Sequence, residues 1–260
     1  MLLSVSNIAW DPADDGFMID YLKQKGVDGL EIAPTRIFPE NPYDSSPSGL
    51  LREINPLTVS SIQSILYGKG GNIFKSELEY TAVMEYAKKA IDFAEALSCK
   101  NVVFGCPKHR DGYTPSNHPV ALSFFHALGE YAHSRQTVLA LEPNPYIYGT
   151  NFINTTSQAF HFVKEVNTPG LMVNMDLGTM IFNHEELDDI QGNLQLVNHI
   201  HLSEPNLNRI EHRAMHRRLA YLLSENKYAK FISIEMKKQG SRDFVTQAID
   251  YAYDVFKENE

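Results

Sequence analysis

Eight short segments dense in aliphatic residues recur along the chain, at 2–10, 29–34, 57–66, 101–107, 138–144, 170–178, 197–204 and 231–237, and stretches with helical spacing separate them. Few folds accept that alternation from end to end. Parallel strands cannot be joined by a tight turn and need a crossover, usually a helix. Eight such units close into an α/β fold, the (β/α)8 TIM barrel, and 260 residues is an ordinary length for one. The expected organisation is a single domain over 1–260. A doubly wound open sheet would call for a glycine-rich phosphate turn after the first strand, and AWDPADDG offers none.

The helical stretches carry their own signals. ELEYTAVMEYAKKAIDFAEAL (77–97) places Leu78, Val83, Ala87, Ala90, Ile91 and Ala94 on one stripe. Thr155 or Thr156 is suited to cap the helix that TTSQAFHFVKEV announces. YGKGGN (67–72) lacks the spacing of a phosphate loop and reads as surface loop. The proline-rich stretch 34–49 reads as a long loop after the second strand, on the rim where such barrels keep their active sites.

Composition narrows the function classes. A net charge of −9 argues against binding nucleic acid or an anionic membrane by bulk charge. No apolar run reaches the ~18 residues of a membrane span, and MLLSVSNIAWDP reads as a strand and not as a signal peptide. Cys99 and Cys106 form neither a C-x-x-C pair nor a zinc-ribbon spacing, which fits a reducing compartment. The expectation is a soluble cytoplasmic protein acting on a small molecule, with no nucleic-acid and no membrane partner. A homo-oligomer is compatible with these features and not required by them.

The sharpest signal is the parity of the last four strands. In VLALEPN, Leu139 and Leu141 share one face and Val138, Ala140, Glu142 and Asn144 the other. In GLMVNMDLG, Leu171, Val173 and Met175 oppose Met172, Asn174 and Asp176. In VNHIHLSE, Asn198, Ile200 and Leu202 oppose Val197, His199, His201 and Ser203; in FISIEMK, Ile232, Ile234 and Met236 oppose Phe231, Ser233 and Glu235. Period two sorts the two faces of a strand. In a barrel the aliphatic face meets the helices and the other face meets the barrel axis. Each strand therefore sends an ionisable group inward near its C-terminal end, so Glu142, Asp176, His201 and Glu235 should converge. Three carboxylates gathered without counter-charge repel one another. One divalent cation relieves this, and a carboxylate–imidazole set suits Mn, Mg, Co or Zn.

With these residues the chain resembles the xylose isomerase-like barrel superfamily, in particular its sugar phosphate isomerase/epimerase-like members; the abasic-site endonuclease barrel is related. The likeness spans nearly the whole chain, including SNIAW at the first strand and GLEIAPTR at the second. In that family a metal is held by a Glu, an Asp, a His and a Glu ending strands five to eight, which here fall on Glu142, Asp176, His201 and Glu235. Two departures stand out. Many relatives continue the Asp as Asp-x-x-His where this chain has Thr179, and ketose 3-epimerases often carry a second Glu where this chain has Tyr148.

The resemblance implies a metal-dependent isomerase or epimerase of carbohydrate metabolism, acting on a sugar or sugar phosphate through an enediolate. Glu142 and Glu235 would shuttle the proton as catalytic residues while also binding the metal. A lyase of the inosose dehydratase kind shares the first step, and an abasic-site endonuclease-like hydrolase shares the ligands. Around them stand candidate substrate contacts. His199 either donates to substrate, orients a ligand, or fills the core. Lys108, Arg110 and Arg36 are placed to bind an anionic group or to sit solvated. Glu31 and Asn144 point inward, Glu204 meets a hydroxyl or Arg209, and Trp10 stacks on a sugar or caps the core.

Overall fold

The computed structural model describes residues 1–257. Strands β1 (Leu2–Ser6), β2 (Gly29–Ile32), β3 (Thr58–Ile62), β4 (Val102–Phe104), β5 (Leu139–Leu141), β6 (Leu171–Asp176), β7 (Val197–Ser203) and β8 (Phe231–Glu235) pair in sequence order, and β8 pairs back to β1. The result is a closed parallel barrel, as the strand–helix alternation predicts. The helices are α1 (Asp15–Lys25), α2 (Pro34–Ile37), α3 (Ser48–Ile54), α4 (Glu77–Ala96), α5 (His118–Ser134), α6 (Thr156–Val166), α7 (Leu177–Asn183), α8 (Ala214–Glu225) and α9 (Asp243–Phe256). None among the described residues is long and apolar enough to cross a membrane.

The strands end earlier than their aliphatic segments, because the C-terminal residues of those segments turn out into rim loops. After β1, for instance, Asn7–Ala9 form a 3-10 turn. Helix starts follow local chemistry. The Thr155 side chain accepts from the Gln158 backbone N–H while Gln158 reaches back to the Thr155 N–H, a capping box. In α4, Val83, Ala87, Ala90, Ile91 and Ala94 are buried as their spacing predicts, but Leu78 is exposed. It lies in the first turn, ahead of the stretch that meets the barrel.

The apolar core is a ring between sheet and helices. Leu3, Val5, Ile32, Ile62, Val102, Phe104, Leu139, Leu141, Val173, Ile200, Ile232 and Ile234 are fully buried against residues such as Met18, Leu22, Ala87, Ile91, Phe124, Leu128, Leu219 and Ile249. Each aliphatic side chain so buried contributes roughly 1.5–3 kcal/mol. The barrel interior is different. Ser4, Ser6, Glu31, Gln63, Asn174, His199, His201 and Ser233 are buried there, where barrels of this kind ordinarily stack branched aliphatics. The outer ring therefore carries the stability, and the interior is released for chemistry.

One register detail corrects the sequence reading. Val173 pairs with Val197, yet Asn174 pairs with His199 and Asp176 with His201, so Asn198 is the extra residue of a β-bulge. Val197 thus lies level with outward-facing Val173 instead of sharing a face with the histidines. Asn198 is not on the helix side either. Its amide crosses the barrel floor to Asn101 Oδ1 at 2.8 Å and the Lys100 carbonyl at 3.0 Å.

Where α5 passes the entry to β6, a Cβ on Gly170 would lie 1.9 Å from the Gly129 carbonyl oxygen. Backbone cannot yield there as a flexible side chain would. We expect Gly170→Ala to destabilise the fold by about 3 kcal/mol, read as a lower urea midpoint; an unchanged midpoint would contradict this close helix–strand contact.

Candidate metal centre and active site

The C-terminal ends of the last four strands deliver their ionisable groups to one point. Glu142 follows β5, Asp176 ends β6, His201 lies in β7 and Glu235 ends β8; one ligand atom from each lies within 4.8 Å of all the others. All four residues are buried. The His201 ring is oriented by its two nitrogens. Nε2 lies 2.9 Å from Glu31 Oε2, beneath the cluster. Nδ1 faces the cluster, 2.8 Å from Glu142 Oε1 and 3.1 Å from Glu235 Oε2. Glu31 thus holds Nε2 as the protonated nitrogen and leaves the Nδ1 lone pair for a cation.

Asp176, Glu142 and Glu31 are each held by further donors. Asp176 caps α7: Oδ1 accepts from the Thr179 N–H at 2.5 Å, and Oδ2 accepts from Ser203 Oγ at 2.5 Å. Glu142 accepts from Asn174 Nδ2 at 2.8 Å and from Asn144 Nδ2 at 3.0 Å. A Cβ on Gly105 would come 2.6 Å from Glu142 Oε2, so only glycine leaves the carboxylate this position. Glu31 accepts from Gln63 Nε2 at 3.0 Å.

The electrostatics match an incomplete charge balance. Burial pushes the Glu235 carboxyl up to about 7. Burial and the neighbouring Glu142 charge push Asp176 up to about 6. Burial opposes charging His201, but the Glu235 and Glu31 carboxylates outweigh it and hold the imidazole well above its usual value. Burial likewise opposes the charge on Glu31, and His201 and His199 overcome it, so its carboxyl stays well below the usual carboxylate range. Three carboxylates and one imidazole, with donor atoms converging and no thiolate, form a donor set that fits Mn, Mg, Co or Zn.

The remaining expected site residues divide. Asn144 and Glu204 line the cavity above the cluster, together with Tyr148, Val103, Ile8 and Leu207. The partner of Glu204 is not Arg209. Arg213 donates to both its oxygens, at 2.7 and 2.6 Å, while Arg209 bonds the Gln247 side chain and stacks on Phe244. His199 is fully buried below the cavity, its Nε2 3.2 Å from Glu31 Oε2, so it neighbours the Glu31–His201 pair and does not reach the cavity lining. Trp10 is buried on the rim and donates to Asp15; Arg36 lies over its ring and pairs with the same Asp15.

Arg110 is the clear correction. An anion-binding rim residue must offer its guanidinium to the cavity, and this one is fully buried. Its donors are committed to the Gly105, Glu142, Phe152 and Ile153 carbonyls and to Asn144 Oδ1. It fastens the chain after β4 to the chain after β5 and so positions Glu142. Lys108 is exposed and outside the cavity lining. Thr179, at the Asp-x-x-His position, donates its hydroxyl to the Pro143 carbonyl at 2.9 Å and offers no further ligand. Tyr148, Asn174 and Gln63 enter the site without having been singled out as site residues. For Asn174 the inward parity it shares with Asp176 was the available signal.

The structure is a closed (β/α)8 barrel with a carboxylate–imidazole cluster, a donor set of the kind that suits one divalent cation, at the C-terminal ends of its strands. The profile of the xylose isomerase-like TIM barrel family matches residues 19–255, and the chain belongs to that family. No curated protein sequence matches it. Among solved structures, 3-keto-D-glucoside 4-epimerase from E. coli superposes with a TM-score of 0.77 at 18% identity, covering 98% of each chain. D-psicose 3-epimerase from Clostridium cellulolyticum H10 gives 0.81 at 14% identity over 98% of this chain and 99% of that one. A family 2 AP endonuclease from Brucella melitensis gives 0.75 at 18% identity over 96% and 99%. At these identities the likeness shows the fold.

Two outcomes follow. Glu31→Gln removes the acceptor charge behind His201, and Mn²⁺ affinity measured by calorimetry should fall roughly 10–100-fold; wild-type affinity would show that Glu31 does not set the ring. Asp176, Glu235 and His201 all hold protons more tightly folded than unfolded. The contribution of the two carboxyls is therefore full below their ordinary values near ~4 and is lost as pH rises through about 6 to 7, whereas that of His201 is full below the ordinary imidazole value near ~6.5 and is lost only as pH rises through its higher folded value. Glu31, shifted down, adds stability that is complete only above its ordinary carboxyl value near ~4.5 and is constant from about pH 5.5 upward. The melting temperature of metal-free protein should fall over this range and saturating Mn²⁺ should flatten the fall; a flat metal-free profile would contradict the cluster.

Proposed function

We propose that the protein is a divalent-metal-dependent isomerase or epimerase of a sugar or sugar phosphate, working through an enediolate. The observation that carries this reading is the meeting of Glu142, Asp176, His201 and Glu235, whose three carboxylates line a rim cavity with the imidazole buried beneath them. When bound, the cation supplies the positive charge that the oxygens of an enediolate require.

The chain's own groups do the rest. Glu142 comes from β5 and Glu235 from β8, and their oxygens approach the same His201 nitrogen. Two carboxylates flanking one point can take a proton from the carbon beside a carbonyl and return it. Asp176, fixed by Thr179 and Ser203, and His201, fixed by Glu31, serve as ligands only. Asn144 holds Glu142 and borders the space a substrate hydroxyl would occupy. Ile8, Val103 and Leu207 give the cavity apolar walls beside the carboxylates.

The two alternatives weigh differently. An abasic-site hydrolase needs further imidazole ligands and a basic face, but Thr179 and Gln63 are tied into the fold and the net charge is −9. A lyase begins with the same proton abstraction and is told apart by loss of water from the product.

The test is proton exchange with solvent deuterium at the carbon beside the carbonyl, followed by NMR on ketoses. Glu235→Gln and Glu142→Gln should each slow exchange by roughly 10²–10⁴-fold. Exchange that persists at the wild-type rate in both variants would end the proposal.

A further inference from the structure

We infer that the natural substrate is a glycoside: its carbonyl-bearing unit occupies the cavity over the metal centre, and a second, uncharged sugar unit lies in an adjoining trough on the rim. The first half rests on the isomerase reading above; the trough stands on observations of its own.

The cavity over the cluster has a volume of about 200 Å³, below the ~300–1,000 Å³ usual for ligand sites. It does not end there. Ile8, Ser64 and Leu207 form a shared wall with a second concavity of about 470 Å³. The two together reach the size of an ordinary ligand site. A substrate confined to the inner cavity would leave the larger adjoining concavity empty.

The trough's chemistry suits a sugar ring. Trp10, Pro12 and Ala33 give it an apolar wall, and Tyr67 stands beside it 72% exposed. A solvent-facing aromatic on an apolar wall offers a surface for the C–H face of a pyranose. The polar groups are of both signs: Asp11, Arg36, Lys237 and Lys238. That pattern serves hydroxyls, which both donate and accept.

The same groups argue against a phosphate. Arg36 commits three of its five N–H donors, two in a fork on Asp15 at 2.7 and 3.3 Å and one on the Trp10 carbonyl at 3.2 Å. Lys238 pairs with Asp11 at 2.6 Å. Lys237, two residues beyond Glu235, remains as a single amine at the mouth. Phosphate sites gather several converging donors and above all a bidentate arginine; here the arginine's bidentate fork is already bound to Asp15, and Asp11 would repel the anion.

The chain's one tryptophan, Trp10, lies in the trough wall, so its emission reports occupancy there without any turnover. We would titrate Mn²⁺-loaded protein with isomaltulose, leucrose and turanose, three glucosyl-fructose isomers, beside D-fructose and fructose 6-phosphate. Affinity comes from calorimetry and location from Trp10 emission. At least one disaccharide should bind about tenfold or more tightly than fructose and shift Trp10 emission saturably. Tyr67→Ala, at an exposed position that leaves the core intact, should erase that advantage while fructose affinity stays the same. No disaccharide advantage, an advantage that survives Tyr67→Ala, or fructose 6-phosphate binding more tightly than all three would overturn the trough. Tight disaccharide binding without deuterium exchange would instead sink the isomerase reading and leave the trough standing.

Discussion

A carboxylate sealed inside a barrel needs partners that leave it nowhere else to go. Glu31 has no solvent exposure, and its charge is sustained by His201 and His199 on one side and Gln63 on another. Desolvating such a group costs several kcal/mol unless it is paired and hydrogen-bonded, so the arrangement tolerates little freedom. An imidazole has two nitrogens on opposite edges. Once Nε2 is claimed from below, Nδ1 must face the rim. The direction in which the site can bind a cation is thus decided beneath it, by a residue that never touches the cation.

Above that anchor, the rim carboxylates are positioned by groups from neighbouring elements. Arg110 ties the carbonyls of Gly105, Glu142 and Phe152 together and reaches Asn144, which in turn holds Glu142. Asp176 is both a strand end and a helix cap. The four cluster residues therefore sit on or directly after barrel strands, and Glu142, Asp176 and His201 have their rotamers fixed by partners outside the cluster, which is what a site requiring sub-ångström placement needs.

The sequence exposed the parts of this design that obey a period. Strand–helix alternation announces the barrel, and the inward parity of Glu142, Asp176, His201 and Glu235 places the cluster, because both are local consequences of backbone geometry. What it concealed depends on contacts between distant segments. Arg110 sits in a basic Lys-His-Arg loop that looks solvated, and only the fold brings carbonyls from β5 and its following loop around it. The partner of Glu204 is four residues beyond the arginine nearest in sequence, because the intervening turn sets which one returns. The bulge at Asn198 defeats parity itself, since nothing in VNHIHLS marks the residue that is added.

That bulge fixes the height of the imidazoles from the end of the barrel opposite to the cavity. Asn198 is fastened across the floor to Asn101, which is fastened to Ser61. The vertical position of His199 and His201 is therefore referenced to the floor and not to the loops around the mouth. Insertions, deletions and substitutions in those loops can reshape what the mouth admits without shifting the two imidazoles by a pleat. In such an architecture, recognition and reactivity are inherited separately: a lineage can change its substrate by editing the rim while the reaction below it is passed on intact.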